Sequence, residues 1–156
     1  MRTHLLSLAL LLTAVDAAAQ STTDTVRMIN PPTLSTPRGY SHIADVPAGS
    51  HMIFIAGQVP LDSTGTLIGA GDLRAQTTQV FENLRRALAA VGATFNDVVK
   101  VNYYLLDASQ LGAVREVRDR YINTAAPPAS TLVEVRRLFR DDVMLEVEAV
   151  AVIRRH

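Results

Sequence analysis

The sequence predicts an α+β fold in which one layer of two helices covers a single face of a sheet. Three observations carry that expectation. Helical and strand patterns alternate in the order ββ-α-β-α-ββ. Hydrophobic residues make up 48% of the 156, ample for one packed core. In the last strand pattern one face is wholly apolar, and the other mixes two glutamates with Met144, Val150 and Val152. A face of that composition is neither fully wet nor fully dry, which fits a subunit interface.

Residues 1–20 read MRTHLLSLALLLTAVDAAAQ. Arg2 supplies a positive start, an apolar run follows from Leu5 to Val15, and Ala17-Ala18-Ala19 offers a signal-peptidase site before Gln20. Asp16 stops the run well short of the ~20 apolar residues that a bilayer-spanning helix needs. The expectation is an export signal at 1–19, a soluble mature product in the periplasm or medium, and no membrane contact after cleavage. Residues 20–38, rich in Ser, Thr and Pro, read as an extended leader, and 39–153 as one domain.

Within that domain, residues 40–46 and 51–56 carry strand patterns, the second ending at Gly57. Residues 57–71 hold four glycines and Pro60, so they read as loop with a short strand at 66–68. Asp72 is a helix N-cap, and the apolar stripe Leu73, Val80, Phe81, Leu84, Leu88 runs to Gly92, which suits the residue just past a helix end. Residues 98–106 form the next strand, with Val99, Val101, Tyr103 and Leu105 on one face and Lys100, Asn102 and Tyr104 on the other. A second helix is expected over 108–123, buried through Leu111, Val114, Val117 and Tyr121 and ended by Pro127-Pro128. Strands over 131–138 and 143–153 close the chain, joined by a turn at Asp141-Asp142.

Composition excludes several chemistries. With no cysteine there are no disulfides, thiolate nucleophiles or cysteine-bound metals. Fifteen basic residues balance fifteen acidic ones, and tryptophan is absent, so nothing suggests a nucleic-acid partner. Lys100 is the sole lysine, which leaves no other amine nucleophile on a side chain. No nucleophile elbow, phosphate loop or dinucleotide fingerprint occurs. His42 and His51 lack ligand spacing and read as strand residues, so no metal site is expected.

A set of segments in fixed order resembles the Rid family, the reactive intermediate deaminases also called YjgF or RidA-like proteins. These are Gly39-Tyr40-Ser41-His42, the AGQVPLD block from Ala56 to Asp62, Gln76 with Asn83-Leu84, Gly92-Ala93, and Asp97-Val98-Val99-Lys100-Val101. Pro128-Ala129-Ser130-Thr131-Leu132-Val133-Glu134-Val135 and Leu145-Glu146-Val147-Glu148-Ala149-Val150-Ala151 complete it. The resemblance implies a chorismate-mutase-like fold, a mixed six-stranded sheet with two helices on one face. It further implies a homotrimer with a barrel-like core, clefts between subunits and no cofactor. In those clefts a glutamate orients the water that hydrolyses an imine. Carried across, Glu146 and Tyr40 are the catalytic candidates, and Gly57, Ser130, Thr131 and Arg115 the substrate-binding ones.

Ser130 stands where RidA-like members have the arginine that grips the substrate carboxylate. A charged hydrogen bond contributes ~1.5–3 kcal/mol against ~0.5–1.5 for a neutral one, so this exchange weakens carboxylate binding. Arg115 takes the place of a family asparagine, and Ala56 that of a small hydroxyl residue. Arg115 and Arg118 are the cations available to replace the missing charge, although both also read as surface helix residues. The expected function is thus a divergent, exported imine or enamine deaminase. The alternative is a small-molecule-binding trimer that has lost the chemistry. A third reading groups Ser130, Thr131 and Glu146 around a water for another hydrolysis.

Overall fold

The computed structural model describes residues 25–153, so the export signal expected at 1–19 lies outside the described residues. Six strands and two helices follow one another along it: β1 (Arg27–Ile29), β2 (Ile43–Asp45), β3 (His51–Gln58), α1 (Leu73–Ala90), β4 (Val98–Leu105), α2 (Leu111–Arg118), β5 (Ala129–Glu134) and β6 (Leu145–Ile153). The main sheet has the order β3-β6-β4-β5, with β6 antiparallel to both neighbours and β5 parallel to β4. A parallel pair needs a long crossover, and α2 supplies it.

The α+β class and the mixed sheet agree with expectation, but the strands do not form one six-stranded sheet. β1 and β2 pair with each other as a separate antiparallel ribbon. Pro47 and Gly49, the latter at φ +79°, break the chain between β2 and β3, so β2 does not continue into the main sheet. β1 lies inside the stretch expected to be leader, and Ile43–Asp45 holds it in place. The expected strand at 66–68 is reduced to one bridge, Leu61 to Leu67.

α1 begins where predicted. The Asp72 carboxylate accepts the backbone N–H groups of Arg74 (2.9 Å) and Ala75 (3.1 Å), and Gly92 takes φ +73° beyond the helix end. Its buried stripe of Leu73, Val80, Phe81, Leu84 and Leu88 packs across β3 and β6. α2 is shorter than the pattern suggested. Residues 108–110 form a 3₁₀ turn, and the regular helix stops at Arg118, followed by turns in which the Arg120 and Tyr121 N–H groups donate to the Val117 and Arg118 carbonyls. Tyr121 lies beyond the helix and still packs inward, forming a triangle with Phe81 and Phe95 at centroid distances of 5.2–5.8 Å. β5 and β6 also differ from expectation. β5 starts two residues early and ends at Glu134; β6 begins at Leu145, although Val143 is fully buried ahead of it.

Gln76 ties the helix layer to the entry of β6. Fully buried, it donates from Nε2 to the Asp142 carbonyl (2.8 Å) and accepts the Met144 N–H (2.8 Å) at Oε1. Each of those backbone groups would be left without its partner if the amide were removed. Gln76→Leu should therefore cost about 2–6 kcal/mol in urea unfolding at fixed protein concentration, from two stranded partners at ~1–3 kcal/mol each. A loss below 1 kcal/mol would show that the two backbone groups find other partners.

Candidate active site

The register decides which side chains can meet. Val101, Tyr103 and Leu105 of β4 face the helices together with Leu145, Val147 and Ala149 of β6, and all are buried. Across the parallel ladder Val101 pairs with Ser130 and Tyr103 with Leu132, so Ser130 lies on the helix side. Asn102 pairs with Glu148 and Thr131, and Tyr104 with Glu146 and Val133, so these occupy the other, uncovered face. Met52, Phe54 and Val133 are exposed there, Phe54 at 75%.

The two glutamates of β6 share this uncovered face but differ in their partners. One oxygen of Glu148 accepts the Asn102 amide (2.7 Å) and the Tyr104 hydroxyl (3.0 Å). That bond, with partial burial and the charges of Glu148 and Glu146, raises the Tyr104 pKa above its ordinary value. Among the described residues no hydrogen bond is made by the Glu146 side chain. Its carboxylate lies instead over Gly57. A Cβ at Gly57 would stand 1.8 Å from Glu146 Oε1 and 2.9 Å from its Cγ, so any side chain there would force the carboxylate to move. This approach is set by a bulge in β3. Ile55 pairs with Ala149 and Gln58 with Val147, so Ala56 and Gly57 both face the single residue Glu148. Thr131 also lies on this face, accepting Lys100 Nζ at 2.7 Å.

Tyr40 belongs to a different neighbourhood. Ser41 bridges to Ala129 beyond the outer edge of β5, its N–H donating to the Pro128 carbonyl at 3.1 Å. Tyr40 is half-buried beside His42, ring edge to ring face at 5.3 Å. Ser130 is next along β5. Arg115 reaches the same loop, its Nη2 lying 3.4 Å from the Arg38 carbonyl while its buried Nε has no partner.

The predicted residues thus fall into two groups within one chain. Gly57 and Glu146 meet on the uncovered face; Tyr40, Ser130 and Arg115 gather around the outer edge of β5. Two strand spacings, ~10 Å, separate β5 from β6, and Ser130 faces the opposite side from Glu146. The arrangement of Ser130, Thr131 and Glu146 around one water is therefore contradicted within a single chain, because neighbouring strand residues alternate faces. Arg118 is not the surface residue that its helix position suggested. It is 6% exposed and engaged by Gly39, Asp119 and Tyr103. Sequence reasoning missed the Asn102–Tyr104–Glu148 network, because its members are joined only by cross-strand register. Among the described residues no group of acidic or histidine side chains is arranged to hold a metal ion. A hollow of about 770 Å³, lined in part by Ser50, Phe95, Asn96, Val99 and Val152, contains none of the predicted residues.

Comparison with known proteins places the chain in a family. A family model described as endoribonuclease L-PSP matches residues 33–153. A RutC family protein of Pyrococcus horikoshii is 43% identical over 101 residues, covering 65% of this chain and 79% of the relative. The 2-iminobutanoate/2-iminopropanoate deaminase of Salmonella typhimurium is 34% identical over 116 residues, covering 72% of this chain and 88% of the relative. Among solved structures, a Rid family protein of unknown function from Yersinia pestis superposes with a TM-score of 0.73 at 33% identity, over 82% of this chain and 98% of that one. RidA from a Psychrobacter species gives 0.61 at 31% identity, over 76% and 92%. With one model matching from residue 33 to the end of β6, and relatives of similar span above 30% identity, the chain belongs to the YjgF/RidA family.

Proposed function

We propose that this protein is an exported deaminase that hydrolyses a reactive imine or enamine to a carbonyl compound and ammonia. The observation that carries the proposal is the Glu146 carboxylate, unpartnered among the described residues and held over the Cα of Gly57. An imine carbon is already electrophilic, so the protein need only hold the substrate, place one water and supply a base. Glu146 takes a proton from that water as its oxygen bonds to the imine carbon. The C=N π electrons pass to nitrogen, which takes that proton back from Glu146. Glu146 then removes the carbinolamine hydroxyl proton and delivers it to nitrogen as the C=O bond forms and the C–N bond breaks, releasing ammonia. The Salmonella relative's name describes this class of reaction.

The two separated groups are compatible with this chemistry if copies associate through the uncovered face, as in the proposed homotrimer. Tyr40, Ser130 and Arg115 of one copy then border Gly57 and Glu146 of the next. Exposed Met52, Phe54 and Val133 support burial of that face. Arg115, with an unpartnered Nε, is our candidate for the cation that replaces the family arginine at 130. Export to the periplasm or medium rests on the character of residues 1–19.

A second reading, a trimer that binds a small molecule without converting it, is favoured by Ser130 alone. Assays with imines generated in solution by an amino-acid oxidase separate the two. The wild-type protein should accelerate release of the 2-oxo acid, and Glu146→Gln should lower that acceleration by at least ~100-fold, the usual contribution of a positioned base. If neither wild type nor Ser130→Arg accelerates release, the binding reading stands and the deaminase reading falls. Activity in Ser130→Arg alone would mean an intact cleft whose natural ligand is not an amino-acid imine.

Gly57→Ala tests the geometry directly. Its methyl group would occupy the place of Glu146 Oε1, so the carboxylate must swing away. We expect kcat to fall on the order of 100-fold, as a misplacement near 1 Å can cause, with the melting temperature held within a few degrees. Retained kcat would remove the Gly57–Glu146 approach from the mechanism.

A further inference from the structure

We propose that Arg118 is a positioning residue that clamps the loop carrying Tyr40 and so sets where the phenol stands in the cleft. The inference deepens the deaminase reading and rests on it for its kinetic arm only. Arg118 ends α2 and is 6% exposed, unusual burial for a guanidinium unless each donor is used. Nη1 donates to the Gly39 carbonyl at 3.0 Å, while Nε and Nη2 donate to one oxygen of Asp119 at 2.8 and 2.7 Å. The Tyr103 hydroxyl lies against the same group. Burial pushes the Tyr103 phenol up to about 12, and the charge and hydrogen bond of Arg118 pull in the opposite direction.

The loop is built to receive this clamp. Gly39 has φ +77°, a conformation that favours glycine, and a Cβ there would lie 2.7 Å from Arg118 Nη2. One helical turn earlier, Arg115 reaches the preceding carbonyl, that of Arg38, at 3.4 Å. Two arginines three positions apart on α2 thus hold consecutive carbonyls immediately before Tyr40. On the far side of Tyr40 the chain is fixed again, by the Ser41 N–H on the Pro128 carbonyl (3.1 Å) and the His42 N–H on Asn30 Oδ1 (2.9 Å). Tyr40 therefore sits on a span of backbone pinned at both ends, with α2 as one anchor. None of these contacts uses the Tyr40 hydroxyl, which stays available to a ligand.

Arg118→Gln removes the clamp from the helix side, and Gly39→Ala displaces it from the exposed loop side with less risk to folding. The first readout is hydrogen exchange of the Ser41 and His42 amides in the purified protein. It is independent of catalysis, so it decides the clamp even if the wild type shows no deaminase activity. Both variants should speed exchange at these amides by about tenfold or more, with α1 amides unchanged, as expected from loss of a charge-assisted anchor. Where activity is present, kcat should fall in each variant, and neither should lower it further in a Tyr40→Phe background, because the clamp acts through that side chain. Unchanged exchange at Ser41 and His42 in Gly39→Ala overturns the proposal, whatever Arg118→Gln does to stability. Full additivity with Tyr40→Phe likewise overturns it, by assigning Arg118 a structural role separate from Tyr40.

Discussion

One helix layer cannot cover two sheet faces, and much of this molecule follows from that shortage. α1 packs over β3 and β6, and α2 packs beside α1. The face beneath them is built from Leu, Val, Ala, Ile55 and Tyr103 with scarcely any exposure. The opposite face has no internal cover, and its composition reflects that. Glu148 is tied to Asn102 and Tyr104, Lys100 to Thr131, and bare apolar side chains stand between them. Such a surface tolerates water, yet its exposed Met52, Phe54 and Val133 gain from a partner. The candidate site uses this compromise, since an unpaired carboxylate such as Glu146 could not persist in the dry layer without a large desolvation cost.

The sequence made the covered layer legible because that layer is governed by local periodicity. Asp72, the Leu73–Leu88 stripe and Gly92 mark α1 at both ends, and the strict alternation of β6 correctly separates Val147 from its glutamate neighbours. Where the outcome depends on cross-strand partners, local patterns fall short. Nothing in HMIFIAGQ announces that Ala56 and Gly57 share one opposing residue, although that bulge brings Gly57 to Glu146. Whether Ile43–Asp45 joins the main sheet or pairs with Arg27–Ile29 is a competition between distant segments. Arg118 looks like any solvated helix cation until the Gly39 loop is folded onto it.

The two groups of functional candidates differ in how they are held. Gly57 and Glu146 sit on paired strands, and their geometry is inherited from the sheet. Tyr40 sits on a loop whose position depends on side-chain donors from another element. The strand-borne half is held by ladder hydrogen bonds, the loop-borne half by side-chain donors that a substitution can remove. Substitutions that retune ligand preference are then more easily accommodated around Tyr40 and Arg115 than around the β3 bulge. Of the departures from the family pattern, Arg115 reaches the Tyr40 loop, Ser130 lies on β5 and Ala56 lies in the β3 bulge, so they are spread over both groups.

Lys100 gives the uncovered face an unusual chemical property. It is the sole lysine in the sequence, and it lies in the middle of that face with its ammonium against Thr131. Apart from the chain's own amino terminus, an acylating reagent therefore has a single amine to modify, and that amine stands at the surface whose burial is in question. Arginine supplies every other fixed positive side chain, and arginine does not react with such reagents under the same conditions. The protein thus carries its own one-site footprinting probe, and the labelling rate of Lys100 reads directly whether this face is open to solvent or occupied.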